Sequence, residues 1–238
     1  MSGAAGPLHA PERPLAAMIL AAGRGERMRP LTDSVPKPLL EVGGEPLIER
    51  HLRALKRAGI VRITINLAWL GPLIRARLGD GARFGLSIRY SEEKPQALET
   101  AGGIFRALPG LLPGPFAVVN GDIYSDYPFE QLCIGAGADA HLVLVPNPPQ
   151  HPGGDFGLEN GLAVAHAHRP HTFSGIAVYR SSFFDGCVDG VFPLRPLLLR
   201  SMQARRCSAE LYAGKWEDVG TPERLRALNT ATGVQFPA

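Results

Sequence analysis

The chain has 238 residues, 45% hydrophobic and 20% charged, with a formal net charge of +3 at pH 7. That length suits one α/β domain with a substantial core, and so small a basic excess gives no case for a nucleic-acid partner. No run is long and apolar enough to cross a membrane. Cys133, Cys187 and Cys207 are scattered and odd in number, so neither a disulfide framework nor a thiolate metal site is expected, and a reducing, cytoplasmic compartment fits best.

Residues 1–14 are small, Pro-rich and aperiodic, without the basic start and apolar core of a secretory signal. They read as a flexible N-terminal extension, with a single domain over 15–238. Residues 16–22 form an apolar run without polar alternation, as in a strand buried on both faces of a parallel sheet. Pro46 and Gly59 frame a helix over 46–58 that buries Leu47, Ile48, Leu52 and Leu55. Strands follow at 61–66, 86–90 and 116–119, with helices at 72–78 and 101–108. The second half is richer in strands, at 140–145, 162–165, 175–179 and 209–212, with helices at 194–203 and 222–231. Strands alternating with helices predict an α/β fold in which a mixed, mostly parallel sheet is flanked by helices.

Behind the first strand lies the segment Ala21-Ala22-Gly23-Arg24-Gly25-Glu26-Arg27-Met28-Arg29-Pro30-Leu31-Thr32, with Pro36-Lys37-Pro38 shortly after. Gly23 and Gly25 allow backbone angles and close approach that a side chain would block. Free N–H groups in such a turn make an anion-binding concavity, and Arg27 and Lys37 add positive charge, so a polyphosphate is the expected guest. The spacing is not that of a P-loop, and the third glycine of a dinucleotide fingerprint is missing.

These residues and spacings resemble the signature of sugar-1-phosphate nucleotidyltransferases, and the resemblance runs from about residue 16 to the C-terminus. Asn66-Leu67-Ala68-Trp69-Leu70-Gly71 and Leu98-Glu99-Thr100-Ala101-Gly102-Gly103-Ile104-Phe105 are most similar to the branch that takes UTP and N-acetylmuramate 1-phosphate, in peptidoglycan recycling. A mannose- or heptose-1-phosphate guanylyltransferase and a catalytically silent sugar-nucleotide-binding subunit are the alternatives. The resemblance implies a Rossmann-like nucleotidyltransferase fold, a nucleoside triphosphate and a sugar 1-phosphate as partners, and a monomer or small homo-oligomer. Since the chain stops after its last helix, transfer alone is expected, without the acyltransferase domain of some relatives.

The resemblance also implies roles for single residues. Ala22, Gly23, Gly25, Glu26, Arg27, Lys37, Gly102 and Asn120 would bind nucleotide, with Arg27 on the leaving pyrophosphate and Lys37 on the α-phosphate. Asp122, after the strand at 116–119, and Asp218, in Trp216-Glu217-Asp218-Val219-Gly220-Thr221, would hold Mg²⁺, which takes a few carboxylates together with phosphate oxygens and water. The other reading is that Asp122 closes a turn and Asp218 caps a helix. Glu99, Thr100, Asn147, Asp155 and Gly175 would approach the sugar. Trp69 packs either on the sugar or in the core. One departure stands out. No lysine lies between Lys94 and Lys215, where many members carry one for the sugar phosphate. Arg169, a neighbouring histidine in His166-Ala167-His168-Arg169-Pro170-His171, or the metal takes its place.

Overall fold

The computed structural model describes residues 10–94 and 97–233. In chain order the elements are β1 (Ala16–Leu20), α1 (Leu31–Ser34), β2 (Glu41–Val42), β3 (Glu45–Pro46), α2 (Leu47–Arg57), β4 (Arg62–Leu67), α3 (Gly71–Leu78), β5 (Ser87–Glu92) and α4 (Glu99–Leu111). They continue with β6 (Phe116–Asn120), β7 (Ile123–Ser125), β8 (Ala140–Val145), β9 (Gly157–Glu159), β10 (Leu162–Val164), β11 (Thr172–Tyr179), α5 (Arg195–Gln203), β12 (Cys207–Leu211), β13 (Trp216–Asp218) and α6 (Pro222–Ala231).

A nine-stranded sheet runs in the order β5-β4-β1-β6-β11-β8-β12-β10-β9. β5, β4, β1 and β6 are mutually parallel, β12 is parallel to β8, and β11 and β10 are antiparallel to their neighbours. β1 explains why its sequence is uninterrupted by polar residues. Side chains alternate across a strand, so Ala17 and Ile19 face one core with Ile48, Leu52 and Leu55 of α2. Ala16 and Met18 face the other, with Ile104 of α4, Phe116 and Leu198 of α5. The mixed sheet covered by helices is the architecture the alternating pattern predicts.

α4 starts at Glu99, before the predicted 101–108, and ends beyond it, since Pro109 removes one backbone donor without stopping the helix. Leu111 is wholly buried, and Leu112 N still bonds Leu108 O at 3.2 Å. Residues 12–14 belong to the packed body and not to an extension: Glu12 and Ile134 exchange backbone bonds of 2.9 and 2.8 Å, and Arg13 donates to Ala58 O. Residues 1–9 of that extension lie outside the described ones.

The β7–β13 ribbon has no signal in the sequence. Gly121 N bonds Leu20 O at 2.9 Å, and a Cβ at Gly121 would stand 2.6 Å from that oxygen, so only glycine lets the chain turn off the sheet there. The turn sends β7 away to pair with β13, with Ile123 opposite Asp218. Two segments almost a hundred residues apart in sequence thereby meet at the C-terminal edge of β1 and β6.

Candidate active site

The glycine loop is held from three sides. Ala21 N donates to Asn66 Oδ1 at 2.7 Å, which anchors the loop to the end of β4. Gly25 lies at φ +68°, and a Cβ there would touch Thr32 Cγ2 at 3.0 Å. Thr32 Oγ1 donates back to Gly25 O at 2.8 Å, and Trp69 Nε1 donates to Thr32 O at 3.0 Å. The Arg24 guanidinium stacks on the Trp69 ring, 4.4 Å from its centroid. Asn66 Nδ2 in turn donates to Glu93 Oε1, and Leu98 N to Glu93 Oε2, at 2.7 and 2.8 Å. This buried chain of bonds fixes the loop relative to the start of α4.

Lys37 is only 8% exposed. Its ammonium lies 2.5 Å from Asp122 Oδ2 and 4.0 Å from Asp218 Oδ1. The Asp218 carboxylate is oriented from the other side by Arg224 Nη1 at 2.8 Å, and Val219 N donates to Asp122 O at 3.1 Å. Behind the turn His51 is buried in α2 and meets Ile123 O through Nε2 at 3.0 Å. Burial drives the His51 pKa down from the ordinary 6.5 to about 4, so the ring is neutral and donates to that carbonyl. Among the described residues no group of three or more His, Cys, Asp or Glu is placed to cage a metal. Two carboxylates bracketing one ammonium suit instead a divalent cation that completes its shell with substrate oxygens and water.

Two cavities open along the sheet edge and share Leu20, Thr100 and Asn120 as a common wall. The first, about 250 Å³, is lined by Ala22, Gly23, Lys37, Asn66, Glu93, Glu99 and Asp122 among others. The second, about 390 Å³, is bounded by Asp155, Phe156, Phe173, Gly175, Tyr179, Arg195 and Leu198 among others. A β-bulge in β11 shapes the boundary between them. Gly175 there lies at φ +80°, where a Cβ would press on the Asn120 amide at 2.5 Å. Trp216 Nε1 ties the bulge to β13 through Ser174 O at 2.8 Å. Glu99 also lies in the left-handed region, at φ +58°, an uncommon conformation for a residue with a side chain.

The nucleotidyl transferase family model matches residues 16–160. The N-acetylmuramate alpha-1-phosphate uridylyltransferase of Neisseria meningitidis serogroup B is 49% identical over 92% of this chain and 98% of its own length. The chain belongs to the nucleotidyltransferase family. The protein of the same name from Caulobacter vibrioides is 34% identical over 89% of this chain and 94% of that one. A crystal structure of a putative glucose-1-phosphate thymidylyltransferase from Bacillus anthracis shares the fold. Its TM-score is 0.78 at 22% identity, over 94% of this chain and 97% of that one. The sugar-1-phosphate nucleotidyltransferase resemblance and the Rossmann-like fold expected from the sequence therefore both hold.

Within this nucleotidyltransferase, the structure gathers many of the expected residues and displaces others. Ala22, Gly23, Lys37, Glu99, Thr100, Asn120 and Asp122 line the first cavity, and Asp155 and Gly175 line the second. Asp218 reaches the site through Lys37. Gly25, Glu26 and Arg27 lie outside both linings, and Arg27 is exposed without an ion pair among the described residues. Trp69 is committed to the glycine loop and faces neither cavity, because its ring carries Arg24 and its N–H holds Thr32. Asn147 is turned into its own loop: it donates to Pro152 O and Pro170 O and accepts from Thr172 Oγ1. Gly102 makes room for protein and not for ligand, since a Cβ there would run into Gly190 O. Arg169 is exposed and lines neither cavity.

Four residues of the site had no reading from the sequence: Glu93, His51, Arg224 and Arg195. Asn66 carried a signal, as a polar residue closing an apolar strand. Glu93 looks like one more member of the charged run Glu92-Glu93-Lys94, and its burial at 3% exposure depends on Asn66 from another strand.

Proposed function

We propose that this enzyme transfers the uridylyl group of UTP to N-acetylmuramate 1-phosphate, releasing pyrophosphate. The observation that carries the chemistry is the buried Lys37 ammonium, set between Asp122 and Asp218 beside a glycine loop. The 49% identity to a protein of that name supports the choice of sugar and base. The sugar-phosphate oxygen attacks the α-phosphorus in line with the departing pyrophosphate. The nucleophile is already ionised at neutral pH, so no general base is required, and positioning with charge neutralisation supplies the rate.

In this reading the backbone of Ala22, Gly23, Gly25 and Glu26 cradles the phosphates, and Asn120 meets the nucleotide at the wall between the cavities. Arg27 closes from its exposed position onto the pyrophosphate, and Lys37 turns from Asp122 toward the α-phosphate. Asp122 and Asp218 would hold Mg²⁺, which supplies charge neutralisation of the phosphates when bound. Glu99, Thr100, Asp155 and Gly175 bound the space for the sugar. The enzyme acts in the cytoplasm, as a monomer or small homo-oligomer, in peptidoglycan recycling.

Pyrophosphate release measured over a panel of UTP, GTP, CTP and dTTP against N-acetylmuramate, mannose and glucose 1-phosphates tests the assignment. Highest kcat/KM for UTP with N-acetylmuramate 1-phosphate is expected. A preference for GTP with mannose 1-phosphate would move the enzyme to the guanylyl branch, and no turnover with any pair would leave only a binding role.

A further inference from the structure

Arg195 lines the second cavity and is the only cationic side chain among its lining residues. Its guanidinium lies over the Phe156 ring, 5.2 Å from the centroid, and forms no hydrogen bond or ion pair among the described residues. All five of its N–H donors are therefore available to a guest. The one carboxylate in that lining, Asp155, is already engaged: it accepts from Phe173 N at 2.9 Å and pairs with His151 at 3.1 Å. Val118, Ala177, Phe173 and Leu198 make the remaining wall largely apolar. A cation without a protein anion, in a cavity whose only anion is spoken for, selects a guest that brings its own negative charge.

The position of Arg195 says which charge. Lys37 and Asp122 line only the first cavity, and Arg195 only the second, with Leu20, Thr100 and Asn120 between them. The two reacting phosphates must meet beside Lys37, so the sugar extends past that wall and its ring substituents face Arg195. The geometry points to Arg195 as the specificity residue for a carboxylate carried on the acceptor sugar, read as a bidentate guanidinium–carboxylate pair. This rests on the reading of the second cavity as the sugar site. N-acetylmuramate differs from N-acetylglucosamine only by a lactyl ether, which ends in such a carboxylate. Arg169, which the sequence offered for the sugar phosphate, lines neither cavity.

The test compares wild-type enzyme with Arg195→Gln and Arg195→Lys, using UTP and either N-acetylmuramate 1-phosphate or N-acetylglucosamine 1-phosphate. Arg195 is exposed at the cavity mouth, and unchanged thermal melting checks that the variants fold. A charge-assisted bidentate pair that loses its cation should lower kcat/KM for the muramate substrate by roughly 10- to 100-fold, chiefly through KM. N-acetylglucosamine 1-phosphate should change by less than about threefold, with Arg195→Lys intermediate on the muramate substrate only. Equal losses on both sugars would assign Arg195 to the shared 1-phosphate and overturn the inference. No loss on either would make it a surface residue and overturn it too. A wild-type enzyme that ignores N-acetylmuramate 1-phosphate altogether would instead defeat the proposed substrate, whatever the variants do.

Discussion

The Lys37 ammonium and the Asp122 carboxylate, 2.5 Å apart, join a residue just after the glycine loop to one just after the central strand β6. Asp218 stands 4.0 Å from the same ammonium. In the free protein the lysine thus offsets the Asp122 charge while Arg224 pairs with Asp218, and a substrate phosphate competes with Asp122 for the ammonium. Lys37→Ala should lower kcat by about 10²–10³, the usual loss for one well-placed donor at a developing charge, with a smaller change in nucleotide Kd. The same variant should bind Mn²⁺ more tightly than wild type in the absence of nucleotide, since the competing cation is gone. Turnover near wild type at saturating substrate would remove Lys37 from the chemistry.

Asp122→Asn and Asp218→Asn each remove one formal charge and keep the side-chain shape. Each should move the Mg²⁺ concentration for half-maximal activity upward by roughly tenfold or more, because hard divalent cations depend on carboxylate charge. A variant with the wild-type magnesium titration identifies a carboxylate that is not a ligand.

The parts of this site that could be read in advance are those encoded by neighbours in sequence. The buried strand β1, the glycine loop and Lys37 sit within one short stretch, and Asn120-Gly121-Asp122 ends an apolar strand. Helix positions followed from spacing, and α6 matches its predicted span from Pro222 to Ala231. What could not be read depends on long-range pairing. The β7–β13 ribbon, the burial of Glu93 by Asn66 and the arrival of Arg195 beside Phe156 arise only when distant elements pack. Trp69 and Asn147 show the converse case. Both residue types suit a sugar, but each finds its partners within the protein, and local sequence gives no sign of that choice.

Trp69 offers a direct check on these contacts. Trp69→Leu removes the indole donor to Thr32 O and the face under Arg24. A hydrogen bond of this kind contributes about 1 kcal/mol and an exposed cation–π contact about 0.5–1 kcal/mol, so the glycine loop should loosen. The expected outcome is a several-fold rise in KM for the nucleotide, with KM for the sugar phosphate little changed. A rise confined to the sugar phosphate would return Trp69 to the acceptor site.

His51 predicts an acid limit to stability. In the unfolded chain its pKa is the ordinary 6.5, whereas burial holds it near 4 in the fold. Between those values the unfolded state binds the extra proton, so folding stability falls as pH drops from about 6.5 toward 4 and is fully present above 6.5. One pKa unit corresponds to about 1.4 kcal/mol, which places the full contribution of this single ring at roughly 3 kcal/mol. His51→Gln keeps a donor able to reach Ile123 O but cannot titrate. Urea midpoints for the two proteins should therefore converge as the pH is lowered from 7.5 to 4.5, the wild type losing more stability than the variant. Parallel declines over that range would show that the acid sensitivity of the fold arises elsewhere.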